Sequence, residues 1–274
     1  MKLRLLESLD IPQAMELSYA AGWNQTSTDW QTLLDLAPGA CFCFELDGRL
    51  AATTTLLPLS PGLAWLGMVL TRCEYQHRGL ASRLVAHAIA TADRLGIETI
   101  GLDATDQGRP IYEKAGFVAG PAIERWLAGE VTMKIAPQSG FDPHQSSCID
   151  EMAGLDRRAL GTDRTALLRA LAGSGWRPEV AERGYALARA GSRANYLGPC
   201  VAETPEIARD LIARSLSQQA GPWMWDLFPG NAATREIAAE FGFKSTRRLV
   251  RMCRGQLPAG DGGLVHAVAG FELG

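Results

Sequence analysis

The chain has 274 residues, 47% hydrophobic and 21% charged, with a formal net charge of −3; that is the make-up of a globular protein long enough for two modest domains. Residues 1–135 carry 11 Lys and Arg against 15 Asp and Glu, and the remainder 16 against 15, so neither half is the basic platform a nucleic-acid partner requires. No run reaches the roughly 20 apolar residues that span a bilayer, no signal-peptide core follows Met1, and the six cysteines lack a framework spacing; a cytoplasmic protein with reduced thiols and no membrane partner is expected.

Lys2 to Ser8 alternates as a strand does, and Asp10 then caps a helix with Pro12 in its first turn, running to about Ala21. Trp23 to Thr26 is a loop. Ser27 or Thr28 is expected to cap a second helix to Leu36. Three antiparallel strands follow: Ala40 to Glu45, Arg49 to Leu57 and Leu63 to Thr71. Asp47-Gly48 turns the first into the second, and Pro58 and Pro61-Gly62 mark the next turn. Leu80, Leu84, Val85, Ala88, Ile89, Ala92 and Leu95 share one face of a helix that Gly96 ends. Ile97 to Asp103 reads as a strand, Arg109-Pro110 opens a short helix that Gly116 stops, and Ala122 to Ala128 is a further strand.

Ala136 to Gly140 reads as a linker between a domain over 1–135 and another over 141–274. The second half predicts helices over Cys148 to Leu155 and Thr162 to Ala172. Strands near Gly184 to Ala190 and Ala194 to Ala202 come next, then a helix from Pro205 to Ser217 and a strand from Pro222 to Leu227. A helix from Ala232 to Phe241 and a last strand, Arg247 to Gly255, complete it. The halves rhyme. Tyr112-Glu113-Lys114-Ala115-Gly116-Phe117 corresponds to Ala238-Ala239-Glu240-Phe241-Gly242-Phe243, each within a strand, helix, Gly-Phe, strand order, which points to an internal repeat.

The most telling segment is Gln76-His77-Arg78-Gly79-Leu80-Ala81, between a strand and a helix. Such a glycine-containing turn presents N–H groups at the positive end of the helix, a ready site for phosphate. Together with the strand Gly67 to Thr71 and the later Ile111-Tyr112-Glu113-Lys114-Ala115-Gly116-Phe117, this loop resembles the GNAT superfamily of N-acetyltransferases. The whole chain resembles a tandem subset of it, with a competent first domain and a degenerate second.

That resemblance implies an α/β (α+β) fold: a mixed, mostly antiparallel sheet splayed at its fourth strand and flanked by helices, followed by a second GNAT-like domain. It implies acetyl-CoA in the splay. Val69, Leu70 and Thr71 would meet the pantetheine arm. Gln76, His77, Arg78, Gly79, Leu80, Ala81 and Ser82 would hold the pyrophosphate, with Gly79 sparing the phosphate a Cβ. It makes Tyr112 the general acid toward the CoA sulfur, since a phenol with a pKa of about 10 keeps its proton at neutral pH.

Family members often carry a base on the fourth or fifth strand. Trp65 to Met68 offers none, so Asp103 is the candidate carboxylate, with a capping role as its alternative. Trp23 lies where the family shapes its acceptor pocket. Cys41 and Cys43 share a strand face without further clustered ligands, so no metal is expected. Trp223 and Trp225 share a face and read as core. In the second half Gly198 to Pro205 has no glycine loop, and Glu203 would repel phosphate, so no CoA is expected there. The expected activity is acetyl transfer to a primary amine of a small molecule. A non-catalytic CoA-binding sensor and a protein acetyltransferase are the competing readings, and a homodimer is left open. Residues 1–135 alone are expected to bind CoA but to turn over acceptor poorly.

Overall fold

A computed structural model describes residues 1–131 and 146–274; the expected linker, 136–140, and both domain boundaries beside it lie outside the described residues. Contacts divide the chain into two units. The first is Met1–Gly120 with Val250–Leu257 and Glu272–Gly274; the second is Pro121–Leu249 with Pro258–Phe271. The units therefore do not follow the order of the chain.

In the first unit the elements are β1 (Lys2–Leu5), α1 (Ile11–Ala20), α2 (Ser27–Leu36), β2 (Cys41–Leu46), β3 (Arg49–Ser60), β4 (Leu63–Thr71), α3 (Leu80–Arg94), β5 (Thr99–Ala104) and α4 (Arg109–Lys114). Strands β1 to β5 lie side by side in chain order, antiparallel except for the parallel β4–β5 pair. On the outer side of β5 lies Val250–Arg254, the second part of β11 (Lys244–Arg254), with Arg251 directly opposite Asp103. Asp47 and Gly48 both have positive φ, 50° and 73°, as the tight β2–β3 hairpin requires.

The cap of α2 is Thr26, not Ser27 or Thr28. Thr26 is extended, accepts from Asp29 N, and its own N–H donates to Asp29 Oδ2 at 2.7 Å, a reciprocal pair only a residue three positions before the carboxylate can make. Strand β3 runs through Pro58, past the expected break. Its ladder with β2 ends at Thr55, so the missing N–H of Pro58 falls where no β2 ladder remains. Cys41, Thr55 and Gly67 are successive cross-strand partners and so share one face. Cys41 Sγ donates to Leu33 O of α2, while the Phe42 ring meets His87 of α3 at 4.6 Å. Helices α1 and α2 thus cover the Cys41–Thr55–Gly67 face, and α3 covers the other.

The second unit holds most of β6 (Val118–Ala128), then α5 (Ser146–Leu160), α6 (Thr165–Gly173), β7 (Arg177–Ala181), β8 (Gly184–Arg189), β9 (Asn195–Ala202), α7 (Pro205–Ser217), β10 (Trp223–Leu227), α8 (Ala232–Glu240) and β12 (Val265–Ala267). Its sheet runs β6-β10-β9-β8-β7, with β10 and β9 parallel. β7 and β12 were not expected from the sequence. Trp223 and Trp225 are buried in its core, Trp225 edge-on to Phe243 at 5.3 Å. Arg125 and Asp226 form a buried bidentate pair, at 2.8 and 2.6 Å.

Candidate active site

The β4–β5 ladder consists of Leu63↔Thr99, Ala64↔Ile100 and Trp65↔Gly101. Both strands continue, β4 to Thr71 and β5 to Ala104, with no further pairs between them among the described residues. The opening begins where the chain dictates it. Gly101 has no side chain because the Trp65 indole occupies that space; a Cβ there would lie 2.3 Å from Trp65 Cζ3. Three residues on from Trp65, Met68 takes φ +50°, a conformation rare for a non-glycine residue, and the β3–β4 register shifts at this point. Thr53 Oγ1 donates to Met68 O at 2.8 Å and Thr54 Oγ1 to Gly67 O, so β3 fixes the bulge. Val69, Leu70 and Thr71 then form the β4 edge that faces the opening.

Beyond β4 the chain makes one short turn, Cys73–Tyr75, and enters α3. Gln76 Nε2 donates back to Thr71 O. His77 and Gly79 have φ +59° and +74°, and Gly79 is the N-cap of α3. A Cβ on Gly79 would meet nothing within 4 Å, so the space before the helix is open. The first turn of this 15-residue helix has no acidic residue, and N–H groups at such a helix start suit an anion. His77, Arg78 and Ser82 are exposed around it and Leu80 is buried.

Tyr112 lies in α4, one turn after Pro110 sets the helix start. It is 8% exposed, its ring 6.0 Å from Phe117, and burial pushes its phenol above the ordinary value near 10. Gly108 leaves room for that ring; a Cβ there would be 3.1 Å from Tyr112 Cε2.

Asp103 sits at the far end of β5, but not as a free carboxylate. Arg251 Nε and Nη2 donate to its two oxygens at 2.9 and 2.8 Å. The Asp103 side chain is wholly buried, and the guanidinium also stacks 4.5 Å from the Trp65 ring. A carboxylate gripped at both oxygens is a poor proton acceptor, so the arrangement differs from that of the expected base. Trp23 is half-buried in the α1–α2 loop, its N–H donating to Ser18 O. Arg251 was not legible as a site neighbour: it is 148 positions from Asp103, and no local pattern signals that pairing.

The groups present in the first unit fit CoA: an opened strand edge, an unobstructed left-handed glycine and a helix start free of carboxylates. Those of the second unit do not. There the β9–β10 ladder also stops after three pairs, at Leu197↔Trp225, but β12 occupies the gap. Val265 and Ala267 pair with Val201 and Cys200. Val268 N donates to Asp226 O, Trp225 Nε1 to His266 O and Tyr196 OH to Val268 O. The start of α7 carries Glu203 and Glu206, with Glu203 paired to Arg158 at 2.7 Å. The protein's own backbone thus satisfies the opened strands that a ligand would otherwise satisfy.

Two family descriptions match the chain, Acetyltransferase (GNAT) family over residues 9–117 and Acetyltransferase (GNAT) domain over residues 152–266. The uncharacterized N-acetyltransferase YitH of Bacillus subtilis (strain 168) is 26% identical over 190 residues, which is 66% of this chain and 66% of that protein, a little under two thirds. A crystal structure from Pyrococcus horikoshii classed as an acetyltransferase superposes with TM-score 0.88 at 20% identity, over 100% of this chain and 95% of that one. A tandem GNAT protein from the clavulanic acid biosynthesis pathway superposes with TM-score 0.66 at 18% identity, over 92% and 97%. At these identities the two structures speak for the fold. Among the described residues no helix is long and apolar enough to cross a membrane, and no group of three or more His, Cys, Asp or Glu could hold a metal ion.

Proposed function

The chain belongs to the GNAT superfamily of acetyltransferases, with two GNAT domains, and we propose that it transfers an acetyl group from acetyl-CoA to a primary amine of a small molecule. We assign the chemistry to the first unit, which holds most of residues 1–135, and a degenerate role without CoA to the second unit, which holds most of residues 141–274. The observation that carries this reading is the opened β4 edge with the Gly79 cradle at its end, together with Tyr112 buried in α4, the helix that follows β5.

When bound, acetyl-CoA supplies an activated acyl group as a thioester. Val69, Leu70 and Thr71 offer backbone hydrogen bonds to an amide-bearing arm. The N–H groups from His77 to Ser82 receive phosphate, aided by the charge of Arg78, and Gln76 braces the loop. Tyr112 keeps its proton at Oη across the neutral range and is suited to donate it to a sulfur anion. Asp103 acts here with Arg251 as a positioning pair that holds Trp65, rather than as the base.

A small acceptor is favoured by the α1–α2 face of β4. Glu272–Gly274 covers it, with Glu272 against Gly67 and Gly274 against the Trp65 indole, while Asn24 and Gln25 of the α1–α2 loop are buried. Such a face is too closed for an extended peptide. Incubating the protein with isotope-labelled acetyl-CoA and the small-molecule fraction of a lysate, then searching by mass spectrometry, tests the reading. A labelled N-acetyl product supports it; label found only on protein lysines or N-termini would replace it with protein acetylation.

A further inference from the structure

We propose that the second unit carries a binding site of its own, for a free α-amino acid with an apolar side chain; this does not depend on the acetyltransferase reading. A cleft of about 210 Å³ is lined by helix α5, by the β7–β8 hairpin and by Glu203, the residue after β9. Gly154 of α5 is one of its lining residues. It sits inside the helix, Ser146–Leu160, where glycine costs stability relative to alanine. A close neighbour can demand such a glycine, as at Gly184, where a Cβ would lie 2.7 Å from Ile207 Cγ2 and 2.9 Å from Leu211 Cδ1. A Cβ on Gly154 would meet nothing within 4 Å. No packing demand keeps this position bare, and its bareness keeps the cleft open. In the first unit the helix and hairpin in the same chain order are tied together instead. Gln13 Oε1 of α1 accepts from Leu50 N at 2.8 Å, and Arg72 donates to both Leu50 O and Glu16.

The lining is held firmly. Tyr185 of β8 donates to Asp156 of α5, and Arg164 grips the same carboxylate with two nitrogens, at 3.0 and 2.8 Å, all three side chains being buried. The lining also combines apolar groups with charges of both signs. Leu155, Val180 and Ala181 are half-buried, so a ligand that covers them removes apolar surface from water. Arg158 pairs with Glu203 at 2.7 Å, but Arg183 reaches that carboxylate only at 3.7 Å, beyond hydrogen-bonding range. The Arg183 fork therefore keeps donors for another carboxylate. Glu151 and Glu182 line the cleft too, exposed and with no ion-pair partner among the described residues.

A plain anion in this cleft would face the glutamates, and a plain cation the arginines. A ligand with a carboxylate and an ammonium on neighbouring atoms meets both signs at once. Its carboxylate takes the remaining donors of Arg183, its ammonium the carboxylates of Glu151 and Glu182, and its side chain the apolar surface beside Gly154. An apolar cavity of about 150 Å³ holds benzene, so this cleft suits a somewhat larger molecule, of the size of leucine, methionine or phenylalanine. The unit that β12 closes to CoA thus binds a different small molecule, at a place where no bond is made or broken.

The test is titration calorimetry and thermal melting of the full chain with L-leucine, L-methionine and L-phenylalanine. Two fragments of leucine serve as controls: isocaproate, which lacks the ammonium, and isoamylamine, which lacks the carboxylate. At least one of the amino acids should bind and raise the melting temperature, and each fragment should bind about tenfold or more weakly than leucine. Arg183→Gln and Glu182→Gln should each weaken the amino acid about tenfold. Gly154→Leu fills the cleft while removing a glycine from a helix interior, so it should melt no lower than the wild type and should no longer bind. A second readout locates the ligand. With ¹³C-methyl methionine, the resonance missing in Met152→Leu, a residue that also lines the cleft, should shift when the amino acid is added to the wild type and stay in place in Gly154→Leu. No binding of any of the three, a fragment that binds as well as leucine, undiminished binding in Gly154→Leu, or a Met152 resonance that does not respond would each overturn the assignment.

Discussion

Arg251 grips Asp103 with two nitrogens, at 2.9 and 2.8 Å, directly across the β11–β5 ladder. The pair is buried, with side-chain exposures of 8% and 0%. Removing one partner leaves an uncompensated buried charge, which costs about 3–5 kcal/mol. Arg251→Met should destabilise the protein by that order in urea unfolding, and Arg251→Met with Asp103→Leu should recover much of it. Equal destabilisation by single and double variants would show that the pair is not coupled.

The same strand decides what a truncated protein can do. A fragment of residues 1–135 loses Val250–Arg254 from the edge of β5 and strands Asp103 without its guanidinium. Such a fragment should fail to show a cooperative thermal transition, an outcome opposite to the expectation that residues 1–135 alone would bind CoA. A sharp melt and normal CoA affinity in the fragment would contradict this.

CoA should bind once per chain. β12 fills the gap in the second unit, and Gly79 alone opens the cradle in the first. Titration calorimetry should give a stoichiometry of one. Gly79→Val, forced to φ +74° at a cost of about 1–2 kcal/mol, should weaken binding about tenfold or more. Two sites, or a Gly79→Val protein with full affinity, would refute the single-site account.

His266, in the plugging strand β12, is pushed down to about 4 from 6.5, first by burial, with a hydrogen bond from its ring to the Ala202 backbone opposing; Thr234 Oγ1 lies 2.8 Å from its Nδ1. The folded value is below the unfolded one, so the neutral ring contributes stability above about pH 6.5. That contribution, on the order of 2–3 kcal/mol, is lost as pH falls from there to about 4. His266→Gln should flatten this part of the acid dependence in urea unfolding followed by tryptophan fluorescence at about pH 7.5 and about pH 4.5. An unchanged dependence would mean that His266 does not titrate with folding.

Local chemistry made part of this legible. The loop from Gln76 to Ser82 and the helix around Tyr112 announce themselves because their signals, a left-handed glycine, a helix start and a Gly-Phe stop, lie within a few residues. Thr26 was passed over because three hydroxyl residues in a row compete for one cap, and only the reach of Asp29 decides between them. β7 carries a weak strand signal because Pro178 lacks a ladder N–H and only Val180 and Ala181 of its five residues are apolar beside it. Arg251, Glu272 and β12 are beyond such signals, since each takes its place by pairing or packing with residues far away in the chain, and hydrophobic periodicity carries no record of partner choice.

Acetyl transfer with Tyr112 as the proton donor is decided by comparing Tyr112→Phe with the wild type. Thiol release from acetyl-CoA in the presence of the preferred amine should fall about 100-fold in kcat, while CoA affinity stays within about twofold, since the ring is kept and only the Oη proton is lost. Equal kcat in the two proteins would remove Tyr112 from the chemistry, and a wild type that binds acetyl-CoA but releases no thiol with any amine would make the protein a sensor rather than an enzyme.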